Sequence, residues 1–224
     1  MVEKERSQKV VFLQALIVTI VLFNLGIFFG YNLESSRLDK IDQFYLESEM
    51  ELLDQTIQKD ALDIVGLDCA GAIKANTAFA DRIFEEAKTI SRFEEANRIN
   101  NDIIFQHKKF DLLRTLFWIN SIKIKEKCNA DYHNVVYFYK YNDPTLEQKA
   151  KQSVFSNLLT ELKERQGGNI MLIPIAADND LPSVELLANR YGIKKLPVIL
   201  IDEKIKIEEL TSVEDVEKYL TPVS

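Results

Sequence analysis

The sequence contains two cysteines, Cys69 and Cys128, and their thiols are its clearest candidates for covalent chemistry. They lie far apart, and neither belongs to a Cys-x-x-Cys motif or to the ligand spacing of a zinc site. Two such thiols can form a structural disulfide, stay buried and free, or act as a redox pair. His107 and His133 are isolated, so no metal site can be argued from them, and we expect a surface or helix-packing role.

Predicted helices place the two cysteines. Residues 33–130 contain no proline, and their apolar residues recur at helical spacing. A break is predicted at Val65-Gly66-Leu67-Asp68, where Asp68 can cap a helix that starts at Cys69. The next helix ends near Cys128. In an antiparallel hairpin these two ends lie side by side, so a bridge between the cysteines is geometrically plausible.

We interpret the cysteine pair as a structural staple, with two buried free thiols and a redox-active pair as the alternatives. The bridge would close a loop of about 60 residues and contribute roughly 3–4 kcal/mol on the chain-entropy model. This interpretation needs an oxidising compartment. Thiol titration with and without reductant distinguishes the alternatives, because a staple leaves no free thiol in the native protein.

The helical region carries apolar stripes that cannot remain in water without partner helices. We expect the helices to pack on each other as an antiparallel bundle or a coiled coil; alternatively, part of a stripe docks another protein. Phe117-Trp118-Ile119 is the most apolar segment and suits either role. The stripe residues are Leu38, Ile41, Tyr45, Leu46, Met50, Leu53, Ile57, Ile73, Phe79, Ala80, Ile83, Ala87, Ile90, Ala96, Ile99, Ile103, Phe110, Leu113, Phe117 and Ile124.

An uncharged apolar run extends from Val10 to Tyr31. At 1.5 Å per residue it is about 33 Å long, enough to span a bilayer core. A cleaved signal peptide is the alternative, but the run is long for one and Phe28-Phe29-Gly30-Tyr31 is a poor cleavage site. We therefore predict a single-pass transmembrane helix at 10–31 that anchors the chain in the lipid bilayer of the cell membrane.

Flanking charge favours one orientation of this helix. Basic residues precede the span, which predicts a cytoplasmic N-terminus at 1–9 and an extracytoplasmic body. A helical stalk or bundle is then predicted at 32–130. Gly26 and Gly30 form a G-x-x-x-G, so a homodimer through these glycines and the helical region is possible.

The pattern changes near Asn129 from helix formers to alternating strands and helices. The predicted order is β-α-β-α-β-β-α, with a parallel first pair of strands and a closing hairpin. The strands are predicted at 135–139, 170–176, 198–202 and 204–210. The helices are predicted at 145–166 with Pro144 at the first helical position, at 184–191, and at 212–220 with Ser212 as cap.

The stretch Tyr191-Gly192-Ile193, followed by Leu196-Pro197 and a strand, resembles the second half of the thioredoxin fold. The resemblance covers about 131–224. It implies a redox-inactive or redox-active α/β domain with a central mixed sheet flanked by helices, and a cis peptide bond before Pro197. Asp178 lies where similar proteins often carry an acidic residue after the second strand.

The thiols of thioredoxin-type enzymes are missing from the expected place. Between the first strand and its helix stands Tyr141-Asn142-Asp143-Pro144-Thr145-Leu146, which contains no sulfur, and Asp143 is expected to cap the helix. The resemblance then implies a peptide-binding groove without redox chemistry. Its candidate residues are Asn142, Asp143, Pro144, Thr145, Leu196 and Pro197.

The prediction is a membrane-anchored, redox-inactive thioredoxin-like protein that binds or scaffolds an unidentified client protein, in a chaperone-like manner, outside the cytoplasm. We predict no catalytic residue, no cofactor and no metal. The alternative is a thiol-disulfide oxidoreductase that uses Cys69 and Cys128. A net charge of −7 and the lack of a basic cluster argue against nucleic acid as a partner.

Overall fold

The computed structural model describes residues 8–65, 68–97, 101–209 and 212–220. The chain divides into two compact units, Met1–Glu47 and Ser48–Ser224. The predicted domain bounds at 10–31, 32–130 and 131–224 stay predictions. The elements are α1 (Gln8–Val65), α2 (Cys69–Asn97), α3 (Asn101–Cys128), β1 (His133–Tyr139), α4 (Leu146–Gln166), β2 (Ile170–Ala176), α5 (Pro182–Arg190), β3 (Val198–Ile201), β4 (Ile205–Ile207) and α6 (Val213–Glu217).

In the first unit, Val10–Gly30 is helical, with a mean hydropathy of 2.5 and no buried residue. Two polar side chains inside it bond to their own backbone: Thr19 Oγ1 donates to the Ala15 carbonyl over 2.9 Å, and Asn24 Nδ2 to Ile20 over 2.7 Å. Such local bonds satisfy polar groups that lipid cannot. The helix has the length and composition of a membrane span or a signal sequence. Lys4 and Arg6, on which the orientation depends, lie outside the described residues.

The second unit begins with helices whose break was predicted correctly. Asp68 caps α2, since its Oδ1 accepts the Gly71 N–H over 3.1 Å. Cys69 and Cys128 are joined by a disulfide with their Cα atoms 5.4 Å apart. Between α2 and α3 the rings of Phe79 and Phe117 pack with centroids 5.1 Å apart. The two helices therefore form the predicted hairpin, stapled at one end.

The apolar stripe predicted for the helix before the break is exposed where its side chains are described. Met50, Leu53 and Ile57 are exposed, whereas Leu52 is fully buried. Thr56, one turn after Leu52, accepts a hydrogen bond from Asn120 Nδ2 over 2.9 Å. The inward face is thus the one that carries Leu52 and a polar contact; Leu38, Ile41 and Tyr45 of the predicted stripe lie outside the residues whose side chains are described.

A four-stranded mixed sheet in the order β2-β1-β3-β4 forms the centre of this unit. β1 pairs with β2 in parallel and with β3 antiparallel, and β3 pairs antiparallel with β4. Five successive residues of β1, Asn134 to Phe138, are buried, as expected for a strand covered on both faces. The parallel first pair and the closing hairpin confirm the predicted connectivity.

The two faces of the sheet pack against different helices. Val135 and Tyr137 join Phe155 and Leu162 of α4 and Val216 of α6 in one core cluster. On the opposite face, Phe138 meets Trp118 of α3, with ring centroids 5.9 Å apart. Phe117 and Trp118 are fully buried, so these two residues of the predicted Phe117-Trp118-Ile119 segment belong to the core.

Two helix starts differ from the prediction. α4 begins at Leu146 with Thr145 as its cap, so Pro144 is not the first helical residue and Asp143 is not the cap. α5 begins at Pro182, because proline suits the first helical position. The remaining turn features agree with the prediction. Gly192 has a φ of 64°, and the Leu196–Pro197 bond is cis.

Candidate functional site

The six predicted groove residues lie in two loops at one end of the sheet, after β1 and before β3. β1 ends at Tyr139 and leads into the loop 140–145, while Pro197 comes directly before β3. Since Phe138 pairs with Val198, Pro197 reaches the sheet beside the start of that loop. We call the two segments 140–145 and 194–197 the tip.

The first tip loop is held by Asp178, which follows β2. The carboxylate of Asp178 accepts the backbone N–H groups of Tyr141 over 2.7 Å and Asn142 over 2.8 Å. Asn142 Nδ2 donates to the Asp178 carbonyl over 2.8 Å and to Asn179 Oδ1 over 3.1 Å. Asn142 was predicted as a groove residue, and the structure shows its amide already engaged in fixing the loop.

Thr145 and Gln148 form a capping box at the start of α4. Thr145 Oγ1 accepts the Gln148 N–H over 3.2 Å, and Gln148 Oε1 accepts the Thr145 N–H over 2.9 Å. Thiols at such a helix start are activated by free N–H groups and the helix dipole. Here a hydroxyl occupies them, so this helix start binds its own side chain and offers no nucleophilic sulfur.

The ladder between β1 and β3 stops at the tip because Gln152 of α4 closes it. The Lys140 N–H donates to Gln152 Oε1 over 2.9 Å, and Gln152 Nε2 donates to the Lys140 carbonyl over 3.1 Å. Continued pairing would have placed Leu196 opposite Lys140. Among the described residues, the backbone N–H and C=O of Leu196 have no hydrogen-bond partner.

A buried carboxylate, Asp111 of α3, lies behind the tip. Its oxygens accept Asn179 Nδ2 over 2.6 Å and the Ala176 N–H over 3.2 Å. His107 Nε2 is 3.4 Å away and Arg114 Nη1 3.7 Å away. Burial is the largest influence and raises the pKa of Asp111, while His107 and Arg114 act in the opposite direction.

His107 connects α3 with the first tip loop. Its ring stacks on Tyr141 with centroids 3.7 Å apart, and its Nε2 lies 3.0 Å from the Tyr139 hydroxyl. The side chain is buried. The helix-packing role predicted for His107 is therefore the one observed. The chain Asn142–Asn179–Asp111 and the stack on Tyr141 fix the loop from two sides.

A second polar network surrounds Asp202 in the turn between β3 and β4. Lys125 Nζ and His133 Nδ1 each lie 2.6 Å from the Asp202 carboxylate, and the Asn134 N–H donates to it over 2.9 Å. Burial favours a higher pKa for Asp202, but these three bonds outweigh it and hold that pKa below its usual range. His133 is thus a partly buried residue that bonds to Asp202, not a surface one.

The next residue, Glu203, is bound from the same face of the sheet. Trp118 Nε1 donates to its Oε1 over 2.6 Å, and Asn134 Nδ2 does so over 3.2 Å. Asp202 and Glu203 both have positive φ, at 46° and 59°, where Asn and Gly are usual. An acidic pair in a tight hairpin turn is the one sequence signal that could have revealed this network.

Replacing Asp202 by alanine should lower the free energy of unfolding by about 2–3 kcal/mol at pH 7, because three donors, two of them ionisable, lose their acceptor. A lowered folded-state pKa means that this contribution is present above the unfolded value of 3.8 and disappears as the pH falls through the folded value. Urea unfolding at pH 7 and at pH 3 measures both effects. Asp131→Ala, an exposed carboxylate, is the control and should change little.

The two sulfurs are remote from the tip. Cys128 ends α3 and precedes His133, the first residue of β1, whereas the tip follows the last residue of that strand. Both cysteines are in the disulfide, and the described residues include no free thiol. The described residues also contain no cluster of ligands for a metal ion.

No family model matches the chain, and no curated protein is similar to it. Its geometry must therefore carry the functional argument.

Proposed function

We propose that this chain is a redox-inactive, thioredoxin-like protein that binds extended segments of client proteins at the tip. Three features support the proposal: the sheet order β2-β1-β3-β4, the closing hairpin, and the position of Pro197 directly before β3 and beside the loop 140–145. The resemblance in sequence covers the same elements. The absence of sulfur at the start of α4 removes the redox step, but the peptide-binding surface of the tip does not depend on sulfur.

The observation that carries the proposal is the backbone of Leu196. Its N–H and C=O have no partner among the described residues, because Gln152 occupies Lys140. An extended peptide can satisfy both groups by adding a short strand beside Leu196. Leu196 and the buried Pro197 then define where the peptide backbone lies, and the first tip loop borders it.

An array of extended ten-residue peptides, offered to the full chain in detergent, tests this mode of binding. In an added strand, every second peptide amide points toward the protein. N-methylation of that set of amides should abolish binding, and N-methylation of the other set should leave binding unchanged. Leu196→Pro should weaken binding about fivefold or more by removing one N–H. Leu196→Ala, which keeps the backbone N–H, is the control and should bind nearly as the wild type does. Equal binding of both methylated sets would contradict the proposal.

The alternative function is disulfide exchange by Cys69 and Cys128. One observation favours it: Cys69 is the first residue of α2, and a helix start lowers the pKa of a thiol. Asp68 beside it opposes a thiolate. Insulin reduction by the full chain, with Cys69→Ser as control, separates the two functions. Activity that the variant lacks would favour the enzyme.

We further propose that Val10–Gly30 anchors the chain in the cell membrane with the Ser48–Ser224 unit outside the cytoplasm. Its length and full exposure support the anchor, and the disulfide supports an oxidising compartment. Protease added to intact cells should cleave the Ser48–Ser224 unit. Protection of that unit in intact cells, with cleavage only after lysis, would contradict this orientation.

We also propose that the chain self-associates through its helices. A Cβ atom added at Gly26 or Gly30 would meet nothing within 4 Å, so that helix face is open. Met50, Leu53 and Ile57 form a separate exposed apolar stripe that a coiled coil would cover. Crosslinking in detergent should trap a dimer, and a strict monomer would contradict this.

A further inference from the structure

A pocket of about 670 Å³ lies behind the tip, bounded by α4, by β1 and β2, and by α2 and α3. Its volume is that of a small-molecule site. Apolar residues form part of its wall, among them Phe84, Leu172 and Pro174, together with the rings of Tyr137 and Tyr139. Those two rings stack with centroids 5.6 Å apart. This part of the pocket suits the aromatic or aliphatic portion of a ligand.

The charged residues that line the pocket are all basic. They are Arg114, Lys140 and Lys149, on a chain whose net charge is −7. Among the described residues of the wall there is no Asp or Glu. The positive charge of the pocket therefore favours an anionic ligand, although the net charge of the whole protein is negative.

Arg114 is the group best placed to bind that anion. Only 5 % of its side chain is exposed. The guanidinium lies over the ring of Phe110, 3.6 Å from the centroid, and its nearest carboxylate oxygen, on Asp111, is 3.7 Å away. Nε has no hydrogen-bond partner in the part of the chain that the structure describes.

Asp111 does not supply the missing hydrogen bond, because its nearest oxygen lies 3.7 Å from Arg114 Nη1 and its carboxylate bonds to Asn179 and the Ala176 N–H instead. A buried donor without a partner is unfavourable, and a guanidinium presents a planar fork that fits carboxylate and phosphate oxygens. The stacked position over Phe110 fixes the plane of that fork. A ligand oxygen in the pocket would satisfy it.

We propose that this pocket binds a small organic anion, with its carboxylate or phosphate group on Arg114, its apolar body against Tyr137 and Tyr139, and Lys140 and Lys149 as outer charges. The site differs from the Leu196 backbone edge and does not depend on peptide binding there. It also assigns a role to a buried arginine whose Nε has no hydrogen-bond partner among the described residues.

Fluorine NMR on the full chain in detergent tests the pocket with three probes of one shape. They are 4-(trifluoromethyl)benzoate, 4-(trifluoromethyl)phenyl phosphate and the uncharged 4-(trifluoromethyl)benzamide. We expect one or both anions to bind at least tenfold more tightly than the benzamide. The two anion arms identify the preferred group. Failure of both anions to bind, or equal affinity for the benzamide, would overturn the proposal.

Three variants locate the bound probe. Arg114→Gln should weaken the preferred anion about 10- to 100-fold, the effect of losing charged hydrogen bonds. Because that change also touches Asp111, two exposed positions on α4 provide tests that keep the fold: Lys149→Gln should weaken binding a few-fold, and Ser153→Trp should block it by filling the pocket. Lys123→Gln is the control and should bind as the wild type does. Unchanged affinity in Lys149→Gln and Ser153→Trp would overturn the proposal.

Discussion

Replacing Cys69 and Cys128 by serine should lower the free energy of unfolding of the Ser48–Ser224 unit by about 4 kcal/mol. The disulfide closes a loop with a sequence separation of 59, and the chain-entropy model gives a loss of this size for such a loop. The bridge also joins the start of α2 to the end of α3. Without it α2 and α3 are held together by packing, as at Phe79 and Phe117, and by the hydrogen bond from Asn76 Nδ2 to Ser121 Oγ.

Urea unfolding followed by the fluorescence of Trp118, the one tryptophan of the sequence, measures this loss. Wild-type protein with reductant should unfold at the same urea concentration as the double variant, because reduction and substitution both remove the disulfide. Each single variant should behave like the double variant. A wild type unaffected by reductant and equal in stability to the double variant would show that the pair is not a structural staple.

Replacing Asp111 by alanine should lower the free energy of unfolding by about 2–4 kcal/mol, since two buried donors are left without the acceptor that they now have. Arg114 would keep its charge in a buried place without the carboxylate 3.7 Å away. Asn179 and the Ala176 N–H would lose their acceptor. The first tip loop should loosen as well, because Asn179 also binds Asn142.

The effect of Asp111→Ala should depend on pH in the opposite sense to that of Asp202→Ala. Burial raises the folded-state pKa of Asp111, so the folded protein takes up this proton at a higher pH than the unfolded chain does. Stability from this group therefore rises as the pH falls toward the unfolded value of 3.8. Urea unfolding at pH 7 and pH 4 should give a larger difference at pH 4. Asp131→Ala is again the control, and a larger difference at pH 7 would contradict the sign.

Sequence patterns predicted the parts of the fold that local chemistry determines. The helix break, the Asp68 cap and the neighbouring cysteine follow from residues close together in the chain. The apolar run at 170–176 and the turn at Gly192 are similarly local. The pairing of Cys69 with Cys128 could be argued because a hairpin of helices brings its open ends together.

Other features depend on contacts that no local pattern contains. Asp202 is bound by Lys125 and His133, 77 and 69 positions away. Periodicity fitted Met50, Leu53 and Ile57 as well as it fitted the face of Leu52, and tertiary packing chose the latter. Such choices are made by the whole fold.

The helix start at the tip was different, since its signal was present in the sequence. Thr145-x-x-Gln148 is a capping box, but Pro144 and Asp143 suggested a start two residues earlier. Gln152, which closes the strand ladder at Lys140, had no such signal because its role depends on where α4 crosses β1. The free backbone of Leu196 follows from that crossing and could not be predicted.

Amide hydrogen exchange at Leu196, measured on the full chain with and without a bound extended peptide, tests directly whether a peptide adds a strand at the tip. We expect fast exchange in the free protein, because this N–H has no partner among the described residues, and strong slowing when the peptide is bound. The amide of Lys140, already bonded to Gln152, should change little. Peptide binding that leaves the exchange rate of Leu196 unchanged would contradict strand addition at the tip.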